Sequence, residues 1–351
     1  MILETPREKG YRMPAEWEKH EATWLAWPHS RLHNYWSDRL GGVEDIYIKM
    51  IGFLKDSELV KLLVFDFEME KYVKGKLMRE KVGLEHVTFY HIETSDVWMR
   101  DYGPIFLVNE AKQRKKAMTH WIFNGWGGKY LDLLGDTSVP ARIHQMHGKI
   151  PYYHGGLVLE GGAIEVNGKG ILITTKSCLL NSNRNPRYAC SEIENRLKEY
   201  LGVEKIIWLS KGLVNDDTDG HVDNLVRFVN EQTVVCSSED VEIDGNYRRL
   251  RSNLKVMKEE LNEKGVAFER VNLPLPYFRD EKKRLAASYA NFYIANTKVI
   301  VPTFGDRQSD ERAVSILRDL FSPQREVVSI NCVDLIYSGG TIHCITQQEP
   351  L

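Results

Sequence analysis

The stretch LEGGAIEVNGKGILITT, residues 159–175, sets the pattern from which the fold is predicted. An acid and two glycines come first, followed by a short apolar strand, an Asn-Gly pair at 167–168 and a second strand. Asn-Gly between two alternating apolar runs is typical of a β-hairpin. The stretch therefore predicts a hairpin that has a polar residue at its entrance.

The same pattern returns roughly every 60 residues along the chain. Stretches with helical spacing of apolar residues, such as 191–202 and 247–265, lie between the copies and indicate an α/β protein. The last copy, SGGTIHCIT at 338–346, is only the first half of the pattern. The polar residues that lead the copies are Asp101, Glu160, His221, Ser288 and Cys344.

Repeats of this kind close radially or stack. Radial closure would bring the leading residues to one axis, and it predicts that Asp, Glu, His and Cys share a site. The alternative is a chance recurrence of hairpins in an ordinary α/β protein.

Composition excludes several classes of function. The chain has 351 residues, 42% of them hydrophobic and 27% charged, and its net charge is −2. Such a balance gives no excess of positive charge with which to bind nucleic acid or an anionic membrane. No apolar run approaches membrane-spanning length. The five cysteines are scattered without a CxxC pair, and the charged N-terminal stretch resembles no secretory leader, so we expect a cytoplasmic protein without disulfides.

Two stretches carry most of the candidate chemistry. DVWMRDYGP at 96–104 holds two acids around Trp98, and NDDTDGHVDN at 215–224 places His221 and Asp223 two residues apart. On a strand, residues at that spacing share one face. Solvent-exposed acidic loops are the alternative. Asp217, His221 and Asp223 could also hold a metal, but no HxH or HExxH spacing supports one, and we predict no metal.

The combination of a cysteine, a histidine and several carboxylates suits a cationic electrophile. Carboxylates bind a planar guanidinium in bidentate fashion, whereas they would repel the oxyanion of an ester. A substrate cation beside the sulfur would also stabilise the thiolate. On a strand, His343 would point away from Cys344, so it is a poor candidate for the base of that cysteine.

These stretches, together with FNGWGG at 123–128, CLLNSNRNP at 178–186 and GGTIHCITQQEP at 339–350, resemble the agmatine deiminase family of the guanidine-modifying, or pentein, superfamily. The matching motifs run nearly from end to end. The resemblance implies a single catalytic domain over residues 1–351, folded as a five-bladed ββαβ propeller with pseudo-fivefold symmetry. It also implies hydrolysis of agmatine to N-carbamoylputrescine and ammonia without a metal or organic cofactor.

The resemblance further implies a role for each site residue. Cys344 would be the nucleophile and His221 the general acid and base. Asp101 and Asp223 would hold the guanidinium, and Glu160 would line and support the site.

The sequence departs from the family pattern at 129–140, at 274–288 and before His221, where Asp217 stands in place of the usual Glu. These departures concern the tail of the substrate. Asp217 and Trp98 could receive the distal ammonium of agmatine. A substrate carboxylate would instead require an arginine, for which Arg184 and Arg187 are the weak candidates.

The principal alternative is a deiminase of peptidyl-arginine or free arginine on the same scaffold. A catalytically silent binding module is the other, although the cysteine, histidine and acids are all present. We expect a small guanidine substrate in putrescine formation, with no nucleic acid or membrane partner. The oligomeric state is open, with a homodimer as one arrangement.

Overall fold

A computed structural model describes residues 4–112, 115–148, 150–262, 269–278 and 284–351. Within these ranges the chain forms five β-sheets. The strands are β1 (His20–Ala26), β2 (Leu59–Val64), β3 (Val87–His91), β4 (Ile105–Asn109), β5 (Lys115–Ile122), β6 (Tyr152–Val158), β7 (Ile164–Val166), β8 (Ile171–Thr175), β9 (Lys205–Leu209), β10 (Val226–Phe228), β11 (Thr233–Ser238), β12 (Glu269–Pro274), β13 (Tyr293–Ile294), β14 (Lys298–Thr303), β15 (Glu326–Asn331) and β16 (Gln347–Pro350).

The helices have one recurring place, between the second and third strand of a sheet. They are α1 (Leu40–Leu54), α2 (Phe67–Arg79), α3 (Met99–Tyr102), α4 (Gly125–Gly128), α5 (Val139–His147), α6 (Lys176–Leu179), α7 (Cys190–Leu201), α8 (Tyr247–Asn262), α9 (Arg307–Phe321) and α10 (Val333–Ile336). Helices α1, α5, α7, α8 and α9 each occupy that place, α2 connects β2 to β3, and the four-residue helices form turns. The predicted helix at 247–265 is confirmed as far as residue 262, and its last residues lie outside the described ranges.

Each sheet repeats one ββαβ unit. In unit 1, β4 pairs antiparallel with β5, which pairs parallel with β6 after α5. Unit 2 uses β7, β8, α7 and β9, unit 3 uses β10, β11, α8 and β12, and unit 4 uses β13, β14, α9 and β15. The predicted hairpins are the antiparallel pairs of these units.

The incomplete fifth copy is completed by the opposite end of the chain. Strand β16 pairs antiparallel with β1, and β1 pairs parallel with β2 after α1, so these elements make unit 5, to which β3 adds a further strand. The pairing joins His20 to Pro350. The fold therefore has five complete units.

Asparagine side chains shape the hairpin turns. The Asn167 Oδ1 accepts hydrogen bonds from the backbone N–H of Lys169 at 2.9 Å and of Ile171 at 3.0 Å, and Gly168 follows with φ of 67°. The Asn230 side chain accepts in the same way from Thr233 at 2.8 Å. An Asx turn of this type, followed by a residue that tolerates positive φ, fixes the strand register.

Apolar side chains fill the space between each sheet and its helix, and the largest cluster joins units 1, 4 and 5. No helix in the described part of the chain is both long and apolar enough to cross a bilayer.

Candidate active site

A short turn precedes the first strand of most units, and the leading polar residues lie on these turns. Asp101 lies in α3, and Glu160 directly precedes the turn Gly161–Ala163. His221 directly precedes the turn Val222–Asn224, and Cys344 lies in the turn at 341–346. The strands begin a few residues later than the sequence suggested. The expectation that His221 and Asp223 share a strand face is therefore wrong, because His221 directly precedes a turn and Asp223 lies within it.

Contacts between neighbouring turns run in a closed cycle. The Gly162 N–H donates to Asp101 at 3.1 Å and joins units 1 and 2. His221 of unit 3 lies beside Glu160 of unit 2. Asn291 of unit 4 donates to Asn224 at 3.2 Å and to the Cys344 sulfur at 3.2 Å. The Arg100 N–H donates to the Cys344 carbonyl at 3.1 Å and returns to unit 1. The predicted radial closure is confirmed.

Gly162 is the point at which three of the site residues meet. A Cβ placed on this glycine would lie 2.5 Å from Nδ1 of His221, 2.9 Å from Oδ1 of Asp101 and 3.0 Å from Oδ2 of Asp223. Only a residue without a side chain allows these groups to approach so closely. The glycine pair quoted at the start thus has a packing reason.

The Cys344 sulfur lies 3.7 Å from Oδ2 of Asp223 and 3.2 Å from Nδ2 of Asn291. Burial, and then the carboxylates of Asp223 and Asp101, raise the pKa of the Cys344 thiol well above its ordinary value. The thiol is therefore protonated until a cation enters the site.

His221 is fully buried between two acids. Its Nδ1 lies 3.6 Å from Asp101 and its Nε2 lies 3.9 Å from Glu160, both too long for hydrogen bonds. Burial disfavours the imidazolium, but these carboxylates outweigh it and raise the pKa of His221 well above its ordinary value. Glu160 itself pairs with Arg184 Nε at 2.7 Å. The raised pKa favours the imidazolium form of His221.

Asp101 is held by units 1 and 2 together. Its Oδ2 accepts from Trp126 Nε1 at 2.8 Å and its Oδ1 accepts from Gly162. Trp126 has a left-handed backbone, with φ of 51°, and strain of this kind is common at functional sites. Burial raises the pKa of Asp101 to about 6, although His221 opposes the shift.

A cavity of about 180 Å³ opens above these groups, with Cys344 and Asp101 at its inner end. Its lining carries three acids and no lysine, arginine or histidine among the residues that the structure describes. The lining residues are Tyr35, Asp96, Trp98, Asp101, Trp126, Tyr130, Leu133, Asp217, Thr218, Tyr337, Ser338, Gly339, Gly340 and Cys344. Such a cavity favours a cation with apolar and aromatic surroundings.

The predicted residues of the substrate tail also lie on this lining. The Trp98 ring packs against Gly340, where a Cβ would lie 2.4 Å from it, and its Nε1 donates to Asp96 at 2.8 Å. Asp217 is exposed at the cavity wall, and its Oδ2 accepts from the Tyr130 hydroxyl at 3.3 Å.

Several residues of the site were not predicted from the sequence. Asn291, rather than Ser288, represents unit 4 beside the sulfur. His343 lies on a turn and not on a strand. Its nitrogens contact Asp223 and Glu16, each at 2.8 Å. The His-Cys dipeptide was a signal for His343, but nothing in the sequence linked Glu16 to it.

The departures from the family pattern fall beside the cavity. Tyr130 and Leu133 come from 129–140, whereas 279–283 of the second departure lie outside the described residues. Arg184 does not face the cavity. It is buried, and it binds Glu160, Asp219 at 2.8 Å and the Thr218 carbonyl at 3.0 Å. It is therefore not available for a substrate carboxylate.

One group of ligand-type side chains also lies close together in the described ranges. Atoms of Glu160, Cys178 and His221 lie within 4.8 Å of one another. The guanidinium of Arg184 already neutralises Glu160, and a second cation there would meet its charge. The arrangement is better explained as an ion pair beside a buried thiol.

The chain forms a ring of five units, and the ring carries a cysteine among carboxylates. These two features define the class of the protein, an α/β ring of the guanidine-modifying type. The sequence profile of the Porphyromonas-type peptidyl-arginine deiminase family matches residues 12–350, and the chain belongs to that family.

The chain is also similar to proteins named as agmatine deiminases. One from Medicago truncatula is 37% identical over 377 residues, covering 99% of this chain and 98% of the relative. One from Stutzerimonas stutzeri (strain A1501) is also 37% identical, with the same coverage. The solved agmatine deiminase of Enterococcus faecalis is 30% identical, covers 100% of this chain and 98% of its own, and superposes with a TM-score of 0.87.

Proposed function

We propose that this protein is an agmatine deiminase that acts as a single catalytic domain and converts agmatine and water to N-carbamoylputrescine and ammonia. The observation that carries the proposal is the cavity, which has a cysteine at its inner end and only acids among its charged lining residues in the described part of the chain. The named relatives support the same reaction. No metal or organic cofactor is needed for the steps below.

Binding activates the nucleophile. The guanidinium pairs with Asp101 and Asp223, and its charge then offsets the two carboxylates that keep Cys344 protonated. The Cys344 thiol loses its proton to solvent in the cavity, and the resulting thiolate attacks the guanidinium carbon and forms a C–S bond. His221, held as imidazolium, gives its proton to the departing nitrogen, and the C–N bond breaks to release ammonia.

Water completes the reaction. The neutral His221 takes a proton from water, which attacks the carbon of the S-amidino adduct. The C–S bond breaks, the leaving thiolate takes the remaining hydroxyl proton and returns to the thiol, and the urea product carries the new oxygen. Glu160 supports His221 from behind, and Arg184 holds Glu160 in place.

The tail of the substrate lies along the aromatic wall, with its ammonium near Asp217 and the Trp98 ring. Free arginine would bring a carboxylate into a lining whose charged groups are acids in the part described. Peptidyl-arginine is the second candidate, because the matching family is described by that activity. We further propose a cytoplasmic enzyme of putrescine formation, and sedimentation tests whether it is a homodimer.

The deciding assay measures ammonia release from agmatine, arginine and a blocked peptidyl-arginine under identical conditions. We expect the highest kcat/KM for agmatine, and a higher value for either competitor would reject the proposal. Cys344→Ser should abolish turnover while Cys190→Ser, on an exposed cysteine, should not. Mass spectrometry of quenched wild-type enzyme should locate an amidino adduct on Cys344, and an adduct elsewhere would reject its role.

A further inference from the structure

His343 lies between two buried carboxylates. Its Nδ1 is 2.8 Å from Oδ2 of Asp223 and its Nε2 is 2.8 Å from Oε2 of Glu16. The side chain is almost completely buried. Ionised carboxylates only accept hydrogen bonds, and each ring nitrogen of His343 faces one carboxylate. Both ring nitrogens are therefore occupied by acids of the protein.

The two oxygens of Asp223 have different surroundings. Oδ2 accepts from His343, whereas Oδ1 is buried without a hydrogen-bond partner among the described groups. Burial opposes ionisation, but the hydrogen bond and charge of His343, together with the charges of His221 and Arg227, outweigh it and lower the pKa of Asp223. A buried acceptor without a partner is costly until a ligand supplies a donor. A guanidinium N–H beside Cys344 is such a donor.

Glu16 fixes the other side of the imidazole. Its Oε1 accepts from Arg227 Nη2 at 2.7 Å and from the Ile294 N–H at 2.8 Å. Its Oε2 lies 3.3 Å from Arg100 Nη2. These partners come from three different units and surround the axis, so Glu16 has little freedom to move. The imidazole is consequently anchored through its Nε2.

We propose that His343 is a positioning residue, which Glu16 anchors and which turns Asp223 so that Oδ1 is free to bind the guanidinium. The inference rests on the proposed function. His343 does not touch the reacting atoms, and with both nitrogens engaged it is not the base of Cys344. It acts on the reaction through Asp223.

Two amide variants separate this role from a general packing role. In His343→Asn, the side-chain amide takes the place of Nδ1 and still donates to Asp223 but cannot reach Glu16. In His343→Gln, the amide takes the place of Nε2 and reaches Glu16 but leaves Asp223 without a donor. We expect His343→Asn to keep kcat/KM for agmatine within about fivefold of wild type. We expect His343→Gln to lose about tenfold to a hundredfold, the size of a lost charge-assisted hydrogen bond.

A second readout does not require turnover. The rate constant for alkylation of Cys344 by 2-chloroacetamidine, a cation shaped like a guanidinium, is divided by the rate constant for neutral iodoacetamide. We expect wild type and His343→Asn to favour the cation, and His343→Gln to lower the ratio by about tenfold or more. An unchanged ratio in His343→Gln, or equal losses in both variants, overturns the inference.

The experimental result that rejects the proposed function differs from the result that rejects the role of His343. A wild-type enzyme that releases no ammonia from agmatine rejects the proposed function, while the alkylation ratio still decides the role of His343. Circular dichroism checks that the variants fold. If His343→Gln does not fold, His343→Asn decides alone, because loss of its preference for the cation overturns the inference.

Discussion

Asp101 and Asp223 differ from surface acids because both are buried, Asp101 on the cavity lining and Asp223 beside the Cys344 sulfur. Asp101→Asn and Asp223→Asn each leave the bound guanidinium with one carboxylate. Removing one partner of a buried ion pair costs about 3–5 kcal/mol, which corresponds to several hundredfold or more in kcat/KM. Steady-state kinetics with agmatine measures the effect.

Asp319→Asn, on the exposed face of α9, is the matched control and should leave kcat/KM unchanged. If either buried variant keeps more than a tenth of the wild-type value, that acid does not hold the guanidinium.

Asp217 lies farther out, where solvent screens its charge. The loop beneath it is held by other groups, since Asp219 binds Lys129 at 2.7 Å and Asp216 binds the Thr218 N–H at 2.9 Å. A screened contact to the distal ammonium contributes about 1–2 kcal/mol. Asp217→Asn should therefore raise KM for agmatine by about fivefold to thirtyfold and lower kcat less, because the tail contact is similar in the ground and transition states.

An alkylguanidine without the ammonium is the internal control for Asp217→Asn and should react as with wild type. A parallel fall in kcat for both substrates would show that Asp217 only braces the loop that carries His221.

At the scale of the elements, the turn at Gly161–Ala163 determines how closely units 1, 2 and 3 approach. Gly162→Ala forces a methyl group to within 2.5 Å of His221. A displacement of about 1 Å in a catalytic group can cost a hundredfold in rate. We expect kcat/KM to fall by about that factor, with the unfolding free energy lowered by about 1–3 kcal/mol through overpacking.

Gly75→Ala is the control, because nothing lies within 4 Å of the added methyl group. Gly75 is inside α2, where alanine stabilises by about 0.5–1 kcal/mol, and activity should not change. Equal activity in the two variants would remove Gly162 from the site.

Some structural elements were predictable from the sequence and others were not. The hairpins and α7 were predictable, because Asn turns and helical periodicity are local signals. The turns that carry Asp101 and His221 were not, since a short turn has no period of its own and tertiary contacts stabilise it. Asn291 and Glu16 could not be assigned to the site for a related reason. Their partners lie far away in sequence, and only closure of the ring brings them together.

At the scale of the whole molecule, Glu349 ties unit 5 to unit 1. It is fully buried and accepts from Lys61 and Lys116 at 2.7 Å and from Trp24 at 2.9 Å. Glu349→Gln removes the fully buried carboxylate that pairs with Lys61 and Lys116 and leaves them only the more exposed Glu21. It should lower the unfolding free energy by about 3–5 kcal/mol at pH 7, measured by urea denaturation. Glu326→Gln, an exposed pair with Lys298, should change it by less than about 0.5 kcal/mol.

The pH dependence checks the cause of that loss. Burial opposes ionisation of Glu349, but His147 and the lysines outweigh it, so the pKa of Glu349 is lowered. A lowered pKa gives stability that is present above the unfolded value of about 4.3 and is lost as pH falls below it. The difference between wild type and Glu349→Gln should therefore shrink below about pH 4. A difference that stays constant with pH would indicate a packing defect instead.

The pairing of β16 with β1 has a consequence for the order of events during synthesis. Strand β1 leaves the ribosome early, and its partner follows every other strand in the sequence. Contacts of such high contact order form slowly, because a long loop must close before they are made. Units 1 to 4 can assemble on the nascent chain, with the acids and His221 in place, while Cys344 is still unplaced. The thiol therefore reaches its carboxylates only on closure of the ring, and under the proposed mechanism a partly folded chain lacks its nucleophile.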